Sequence, residues 1–366
     1  MGGLSERNNN RHVYIDMLRI AASFAVVVIH VVSKGVKDFD ITSFSWDICN
    51  IADGLSRFSV PVFVMISGCF FLNPDKTYSL KKIATKILRL IIAFFVWSII
   101  YGVTDVIFSD GESLSSVLYG LILDTVIGKY HMWYIFLIIG LYILSPVLKR
   151  ITAEKKITEY FLIITFVFTF CLVFAEKIFK ELMGTNVFVN LVSEVLSSIV
   201  PNFNLDFLSG YVFYFIMGYY LNQHSFSKKV CAVVYSLGTV SGLTIILGTY
   251  LLSAAENKLV ETFYDYLGFP CCILSISIFI FVKNIFSNVN LKEKTYALVC
   301  SVSKLTFGIY LVHVLIIDLF EKVFGLYIGS FNTVLSVMLL IVLTYIISLI
   351  ITYILNKIPV VKKYMI

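Results

Sequence analysis

Apolar stretches of about 18 to 25 residues follow one another along almost the whole chain, separated by short polar segments. A helix of about 20 apolar residues crosses the roughly 30 Å hydrocarbon core of a bilayer. The pattern therefore predicts an all-α polytopic membrane helix bundle of about ten transmembrane helices, forming one domain over residues 1–366. The predicted spans lie at about 13–33, 54–72, 84–108, 130–148, 159–177, 207–222, 230–253, 264–284, 298–320 and 332–356.

Two further stretches complicate this count. The first, Ser113–Ile127, is amphipathic, with Glu112 and Asp124 near its ends. The second, Leu182–Val200, is apolar apart from Glu194. Either segment could be a re-entrant or interfacial helix.

The distribution of charge tests the topology, because cytoplasmic loops of membrane proteins carry excess Lys and Arg. With ten spans and both termini cytoplasmic, 21 of the 29 basic residues fall on the inner side and 17 of the 23 acidic residues on the outer side. An additional span at Leu182–Val200 would move four of those lysines outside. We therefore prefer ten spans, with a short cytoplasmic N-terminal tail (1–12) and a cytoplasmic C-terminal tail (357–366).

Composition excludes an ordinary water-soluble globule. The 366 residues are 59% hydrophobic and only 14% charged, with a net charge of +6, whereas an average soluble domain is about 25% charged. The seven cysteines are scattered and show no CxxC or Cys/His spacing typical of zinc, so we expect no metal site.

The first apolar helix follows Arg7 and Arg11, as the apolar part of a signal peptide would. It contains Asp16, Arg19 and His30, however, and it lacks a small-residue cleavage site. We therefore expect this helix to be a retained first span.

That first span carries two side chains that are costly in a membrane, Arg19 and His30 in the segment RIAASFAVVVIH. Their separation of eleven residues places them about 20° apart around the helix and about 16 Å apart along it. Asp16, one turn before Arg19, is positioned to pair with it. The alternative is an interfacial arginine that snorkels and a histidine that is hydrogen-bonded within the bundle.

The ninth predicted span carries a polar stripe on an otherwise apolar helix. The two small members are typical of helix packing in membranes. His313 is a second deep imidazole that needs a partner, and Tyr310, one turn away, is placed to orient it. The stripe, which covers about 80° of the helix, consists of Ser303, Thr306, Tyr310 and His313.

A third histidine, His131, opens the fourth span in the segment KYHMWYI. An interfacial aromatic belt would explain Trp133 and Tyr134 beside it. Under the predicted topology, His30, His131 and His313 all lie in the outer half of the bilayer, where they could converge.

A basic group precedes the third span, where Lys86 and Arg89 in KILRL follow Lys81 and Lys82. Positive-inside topology alone explains such a group. The alternative is a site for a phosphorylated cytoplasmic ligand, to which Arg89 and Arg19 are suited by their fixed donors.

Four segments, in order along the chain, resemble the acyltransferase-3 family of bacterial membrane acyltransferases, which typically have ten spans and cytoplasmic termini. YIDMLRIAASFAVVVIH carries the family's Arg-x10-His signature at Arg19 and His30. FSVPVFVMISGCFFL is similar to its second helix, HMWYIFLIIGLYILSPVL to its HxWY segment and SKLTFGIYLVH to its late Gly-Ile-Tyr-Leu-x-His segment. The chain departs from the family's frequent Arg-x-x-Arg motif, since Lys86 takes the first position, which keeps the charge but loses bidentate geometry.

The resemblance implies transfer of an acyl group, usually acetyl from cytoplasmic acetyl-CoA, to a hydroxyl of an extracytoplasmic glycan or lipid-linked precursor. We expect a multi-pass protein of the bacterial cytoplasmic membrane. Its expected partners are acyl-CoA, such an acceptor and membrane lipids, with no nucleic acid and no permanently bound cofactor, and its oligomeric state stays open. Larger family members carry a fused hydrolase-like or racemase domain; neither accompanies this sequence, so we expect no second activity.

The residues and the resemblance fit one scheme. The CoA phosphates would lie against Arg19, Lys86 and Arg89, and the pantetheine arm would extend toward His30. His30 would act as general base on the acceptor hydroxyl. A covalent acyl-His30 intermediate is equally open.

Attack on the thioester produces an oxyanion, which needs hydrogen-bond donors. His313, Tyr310 or Ser67 could supply them, so His313 and Tyr310 join His30 as catalytic candidates. The candidates for acceptor binding or support of the site are Asp16, Ser67, His131 and Trp133.

Two other classes of function remain. A transporter of a small molecule or glycan precursor would also place polar stripes around a cavity, although paired inverted halves with broken helices are absent from the pattern. A nonenzymatic subunit of a glycan-export complex would tolerate replacement of the histidines. Counterflow uptake without chemical change would favour the transporter.

Overall fold

The structure is a computed structural model that describes residues 13–73, 79–108, 114–203 and 210–366. All regular secondary structure in these ranges is helical. A π-helical turn, Phe166–Leu172, joins the helices Lys155–Thr165 and Val173–Glu181. The α-helices are α1 Val13–Asp38, α2 Phe44–Ser56, α3 Ser59–Phe71, α4 Leu80–Ile107, α5 Leu114–Ile127, α6 Trp133–Ile151, α7 Lys155–Thr165, α8 Val173–Glu181, α9 Val187–Ile199, α10 Tyr211–Gln223, α11 Lys228–Glu256, α12 Phe269–Phe286, α13 Glu293–Phe324, α14 Thr333–Leu355 and α15 Pro359–Tyr364.

The predicted polytopic all-α bundle is confirmed. Within the described ranges, nine helical segments of at least 18 residues are apolar enough to cross a membrane, and they correspond to nine of the ten predicted spans. The remaining span, predicted at 207–222, begins among residues that lie outside the described ranges, and its described part, α10, has 13 residues. The N-terminal tail predicted at 1–12 also lies outside the described ranges, and the cytoplasmic orientation of the termini stays a prediction.

The two ambiguous stretches form helices of their own. Most of Leu182–Val200 is α9, whose 13 residues extend only about 20 Å and are too few to cross a bilayer. Its apolar side chains, such as Val187 and Phe188, are largely exposed. The other stretch contains α5, which leads through a bend at Gly128, where φ is +79°, toward α6.

The first helix, α1, lies at the centre of the bundle against α2, α3, α12, α13 and α14. A polar residue of α1, Asp16, is held by hydrogen bonds from a neighbouring helix inside the bundle. Asp16 is buried and accepts hydrogen bonds from Ser303 Oγ (2.5 Å) and Cys300 Sγ (3.7 Å), both on α13. These contacts fix the two helices that carry Arg19, His30 and the polar stripe relative to each other.

A close crossing of α3 and α10 sets the opposite wall of the bundle. A Cβ atom on Gly68 would overlap the carbonyl oxygen of Phe215, and one on Gly218 would overlap that of Met65. Both positions therefore require glycine, because the two backbones are in direct contact.

The segment predicted as a C-terminal tail, 357–366, packs against the bundle. Its helix α15 contacts α4, and Ile366 is buried in the core. Trp97 Nε1 donates to the carbonyl of Met365 at 2.9 Å, while Arg89 donates to the carbonyls of Lys362 (3.3 Å) and Ile366. The segment thus holds the guanidinium of Arg89 in place.

Candidate active site

A cavity of about 470 Å³ lies between α1, α3, α4, α6 and α13. This volume is within the usual range of small-molecule sites, about 300–1,000 Å³. Eight of the ten residues predicted for the site line it. They are Arg19, His30, Ser67, Lys86, Arg89, His131, Trp133 and Tyr310.

Three histidines from distant parts of the chain meet at one end of this cavity. The ring centroid of His30 lies 5.0 Å from that of His313 and 6.1 Å from that of His131. The rings of His131 and His313 are 5.2 Å apart. His30 and His131 line the cavity, while His313 lies just behind them with its side chain fully buried.

The hydrogen bonding of His313 identifies its tautomer. Its Nδ1 lies 2.7 Å from the carbonyl oxygen of Tyr310. Because a carbonyl oxygen only accepts, Nδ1 carries the hydrogen, and Nε2 of the neutral ring is left with its lone pair. Within the described ranges Nε2 has no hydrogen-bond partner. In the neutral ring Nε2 can therefore accept a hydrogen bond, whereas the oxyanion-donor role predicted from the sequence requires a protonated ring.

His131 has both ring nitrogens buried and without a partner among the described residues. Its backbone belongs to a 3₁₀ turn, Tyr130–Met132, that opens α6. The hydroxyl of Tyr310 donates to the carbonyl of His131 at 2.8 Å and holds this turn against α13. Tyr101 packs edge-on against the imidazole, with ring centroids 5.3 Å apart. When the ring is neutral, one of these nitrogens carries a hydrogen that has no acceptor in the described part of the chain and is available to a bound ligand.

Two hydroxyls predicted as oxyanion donors are already used by the protein. Tyr310 donates to the His131 carbonyl, and Ser67 donates to the carbonyl of Phe63 one turn earlier at 3.0 Å. The hydroxyl of a serine in a membrane helix commonly donates its single hydrogen to the backbone carbonyl one turn earlier. Both side chains line the cavity, yet the structure gives their hydrogens another role.

The opposite end of the cavity is cationic. The guanidinium of Arg19 lies over the ring of Phe70 at 5.0 Å, and the ammonium of Lys86 lies over that of Phe71 at 4.6 Å. Arg89 completes the predicted group, and the structure adds Lys304 of α13 to the lining. In the sequence Lys304 is only one more charge on the predicted inner side, since no neighbouring motif marks it as a ligand-binding residue.

Aromatic rings close the cavity beside the histidines. The ring of Trp133 is 39% exposed and lies 5.8 Å from Tyr211 and 6.2 Å from Tyr266, measured between centroids. Tyr266 also lines the cavity. This packing makes Trp133 part of the cavity wall as well as a candidate for the interfacial belt.

A buried ion pair that the sequence did not reveal stands behind this wall. Arg57 pairs with Asp53, and its guanidinium lies over the rings of Tyr264 (4.2 Å) and Tyr266 (5.6 Å). Arg57 also donates to the carbonyl of Tyr264 at 3.3 Å. The pair therefore fixes the loop that carries Tyr266 into the cavity.

A second charged cluster, formed by Asp105, Lys129, Asp318 and Lys322, lies beside the histidines. Lys129 Nζ is 2.7 Å from Asp105 and 3.4 Å from Asp318, and Lys322 is 3.2 Å from Asp105. The next residue after Lys129, Tyr130, packs 5.4 Å from the His30 ring. These contacts tie the turn before α6 to α4 and α13.

Comparison with known protein families identifies a match. A family model described as an acyltransferase domain, of the acyltransferase-3 type, matches residues 12–353, nearly the whole chain. Searches of the curated proteins and of the solved structures give no significant match.

Proposed function

Because this chain belongs to the acyltransferase-3 family and is a membrane acyltransferase, we propose that it transfers an acyl group, most simply acetyl, from acyl-CoA to a hydroxyl of an extracytoplasmic glycan or lipid-linked precursor. The proposed location is the bacterial cytoplasmic membrane, with both termini inside. One observation carries this proposal: a single cavity joins a cationic end to a histidine cluster. The family also favours an enzyme over a transporter or a nonenzymatic subunit.

The cationic end is the proposed site for the phosphates of the donor. Arg19 and Arg89 present planar guanidinium groups that match phosphate oxygens, and Lys86 with Lys304 adds point charges. The helical separation of Arg19 and His30, about 16 Å, is comparable to the length of a pantetheine arm. A donor bound this way carries its thioester to the histidines.

His30 supplies the nitrogen lone pair that the reaction needs, since it lines the cavity and its ring faces the other two histidines. It either removes the proton from the acceptor hydroxyl or attacks the thioester carbonyl itself. In both routes the C–S bond breaks, the acyl group ends on the acceptor oxygen, and the hydroxyl proton ends on the CoA sulfur.

The other members of the cluster have distinct proposed roles. The N–H of His131 stabilises the oxyanion that forms on the thioester carbonyl, because it is buried and has no protein acceptor among the described residues. The lone pair on His313 stabilises positive charge on His30. Tyr310 positions both rings, through its hydroxyl and its carbonyl.

Mass spectrometry of surface glycans and lipid-linked precursors from cells with and without this protein tests the proposal. We expect an added acyl mass, in an alkali-labile ester, only when the protein is present. Identical spectra, together with accumulation of an untouched solute inside the cells, would support the transporter.

A further inference from the structure

His30 also lines a second, smaller cavity. This outer pocket, of about 40 Å³, is bordered by α14, by the turn after α13, and by the ends of α1 and α13 that lie far from Arg19. His30 is the one described residue that borders both cavities. The lining of the outer pocket includes His30, Lys34, Glu321, Tyr327, Leu340 and Thr344.

The rim of the outer pocket is exposed and its floor is buried. At the rim, Lys34 forms an ion pair with Glu321, and their side chains are 49% and 40% exposed. Tyr327 beside them is 47% exposed. At the floor, Thr344 is fully buried, and its Oγ1 has no hydrogen-bond partner in the described part of the chain. Because Thr344 borders the pocket, its hydroxyl is available to hydrogen-bond a polar group that enters there.

We propose that the outer pocket admits the reacting hydroxyl of the acceptor, which reaches His30 from there while the donor occupies the larger cavity. This inference rests on the proposed function. A volume of about 40 Å³ exceeds the roughly 10–15 Å³ that a cavity needs to hold one water, so the pocket admits a small polar group and not a whole acceptor. A single hydroxyl therefore enters, hydrogen-bonded to Thr344, and the body of the acceptor stays at the rim beside Lys34 and Glu321.

This arrangement selects the covalent route at His30. Because the two cavities share no other described lining residue, donor and acceptor meet through its imidazole. In the first step a ring nitrogen attacks the thioester carbonyl, the C–S bond breaks, and the proton of the imidazole goes to the CoA sulfur. In the second step the hydroxyl oxygen attacks the acyl-imidazole, the C–N bond breaks, and the hydroxyl proton returns to the ring.

Isosteric removal of one hydroxyl tests the pocket, with acetyl-CoA as donor and methanol as the smallest hydroxyl probe in detergent-solubilised protein. Thr344→Val should raise the methanol concentration that gives half-maximal methyl acetate formation about tenfold, the effect of one lost hydrogen bond. CoA release in the first turnover should be unchanged. Thr352→Val is the matched control, because Thr352 is equally buried on α14 with an unpartnered Oγ1 but does not line the pocket.

Filling the pocket gives a second measurement. Leu340→Trp should block methyl acetate formation while one acetyl group accumulates on His30, detected by peptide mass spectrometry. Leu339→Trp, whose side chain is 39% exposed on the other face of α14, is the control and should behave as wild type.

The outcomes separate the two proposals. A wild type that releases no CoA and transfers no acetyl overturns the proposed function itself. If the wild type transfers acetyl while Thr344→Val and Leu340→Trp behave like their controls, the pocket proposal is overturned. It is also overturned if only Trp133→Ala changes the response to methanol, because that result would place the acceptor in the larger cavity. The pocket proposal would also be overturned if Thr344→Val and Leu340→Trp lost only the hydrolysis of the acetyl group by water and still transferred acetyl to methanol. That result would mean that the pocket admits only water.

Discussion

The imidazole rings of His30 and His313 lie 5.0 Å apart, centroid to centroid, although one belongs to the first membrane helix and the other to the thirteenth α-helix of the chain. Nδ1 of His313 is held by the carbonyl of Tyr310 at 2.7 Å. This bond directs the lone pair of His313 away from its own helix turn. Any positive charge that His30 gains in the proposed acyl transfer would therefore lie beside a fixed imidazole that can supply a lone pair.

We expect His313→Ala to lower the turnover number of acyl transfer about 100-fold, the usual effect of removing one group that stabilises charge in the transition state. The KM for acyl-CoA should change little, because His313 does not line the larger cavity, where we propose that acyl-CoA binds. His224→Ala is the control, since that histidine stacks on Tyr220 far along the chain from the cluster. Steady-state kinetics with purified protein provide the test, and an unchanged turnover number would refute the assigned role.

Replacing Arg19 should weaken the donor complex. We expect Arg19→Ala to reduce the affinity for acyl-CoA about 10- to 100-fold through loss of charge-assisted hydrogen bonds. Arg19→Lys should give an intermediate loss, because lysine keeps only a point charge. Isothermal titration in detergent measures the affinity, with Lys81→Ala as a control outside the cavity lining. Equal affinities for Arg19→Ala and wild type would place the phosphates elsewhere.

The crossing of α3 and α10 predicts a selective intolerance of alanine. Gly68→Ala forces Cβ into the carbonyl oxygen of Phe215, so we expect a loss of about 1–3 kcal/mol in the free energy of unfolding. At Gly140, nothing lies within 4 Å of an added Cβ, and Gly140→Ala should be neutral or stabilising by up to about 1 kcal/mol. Unfolding in mixed micelles distinguishes the two, and equal stabilities would argue against the backbone contact.

The buried pair of Arg57 and Asp53 predicts a large loss when one partner is removed. Arg57→Ala leaves the carboxylate of Asp53 buried and uncompensated, which costs about 3–5 kcal/mol. The exposed pair of Lys258 and Glu256 supplies the control, because Lys258→Ala should change stability by less than about 1 kcal/mol. Thermal unfolding followed by tryptophan fluorescence compares them, and similar midpoints would show that the buried pair contributes little.

Much of the bundle was predictable because hydropathy and loop charge both follow from transfer between water and lipid. The meeting of His30, His131 and His313 was foreseeable for a related reason: an imidazole deep in an apolar helix is stable only when it faces the interior. The separations of 5.0 to 6.1 Å between their ring centroids could not be predicted, because the order of helices around a bundle leaves no periodic signal in the sequence.

The features that were missed depend on tertiary pairing. The second span, predicted from 54, continues back through α2 to Phe44, because polar residues of that extension are paired inside the bundle. Asn50 accepts from the hydroxyl of Tyr264 at 2.6 Å, and Asp53 pairs with Arg57. A hydropathy window reads such residues as a loop. The packing of 357–366 on α4 could not be predicted for another reason. Arg89 and Trp97 donate hydrogen bonds to backbone carbonyls of that segment, and backbone carbonyls are present in every sequence, so no residue pattern marks the contact.

Acetyl transfer that depends on His30 is tested most directly with purified wild-type and His30→Ala proteins in liposomes, by following radiolabelled acetyl from acetyl-CoA into the cell-surface glycan and lipid fraction. We expect ester-linked label with the wild type and none with His30→Ala, while thermal unfolding shows both proteins equally folded and both still bind acyl-CoA. Ester-linked label at the wild-type rate with His30→Ala would contradict a catalytic role for this histidine.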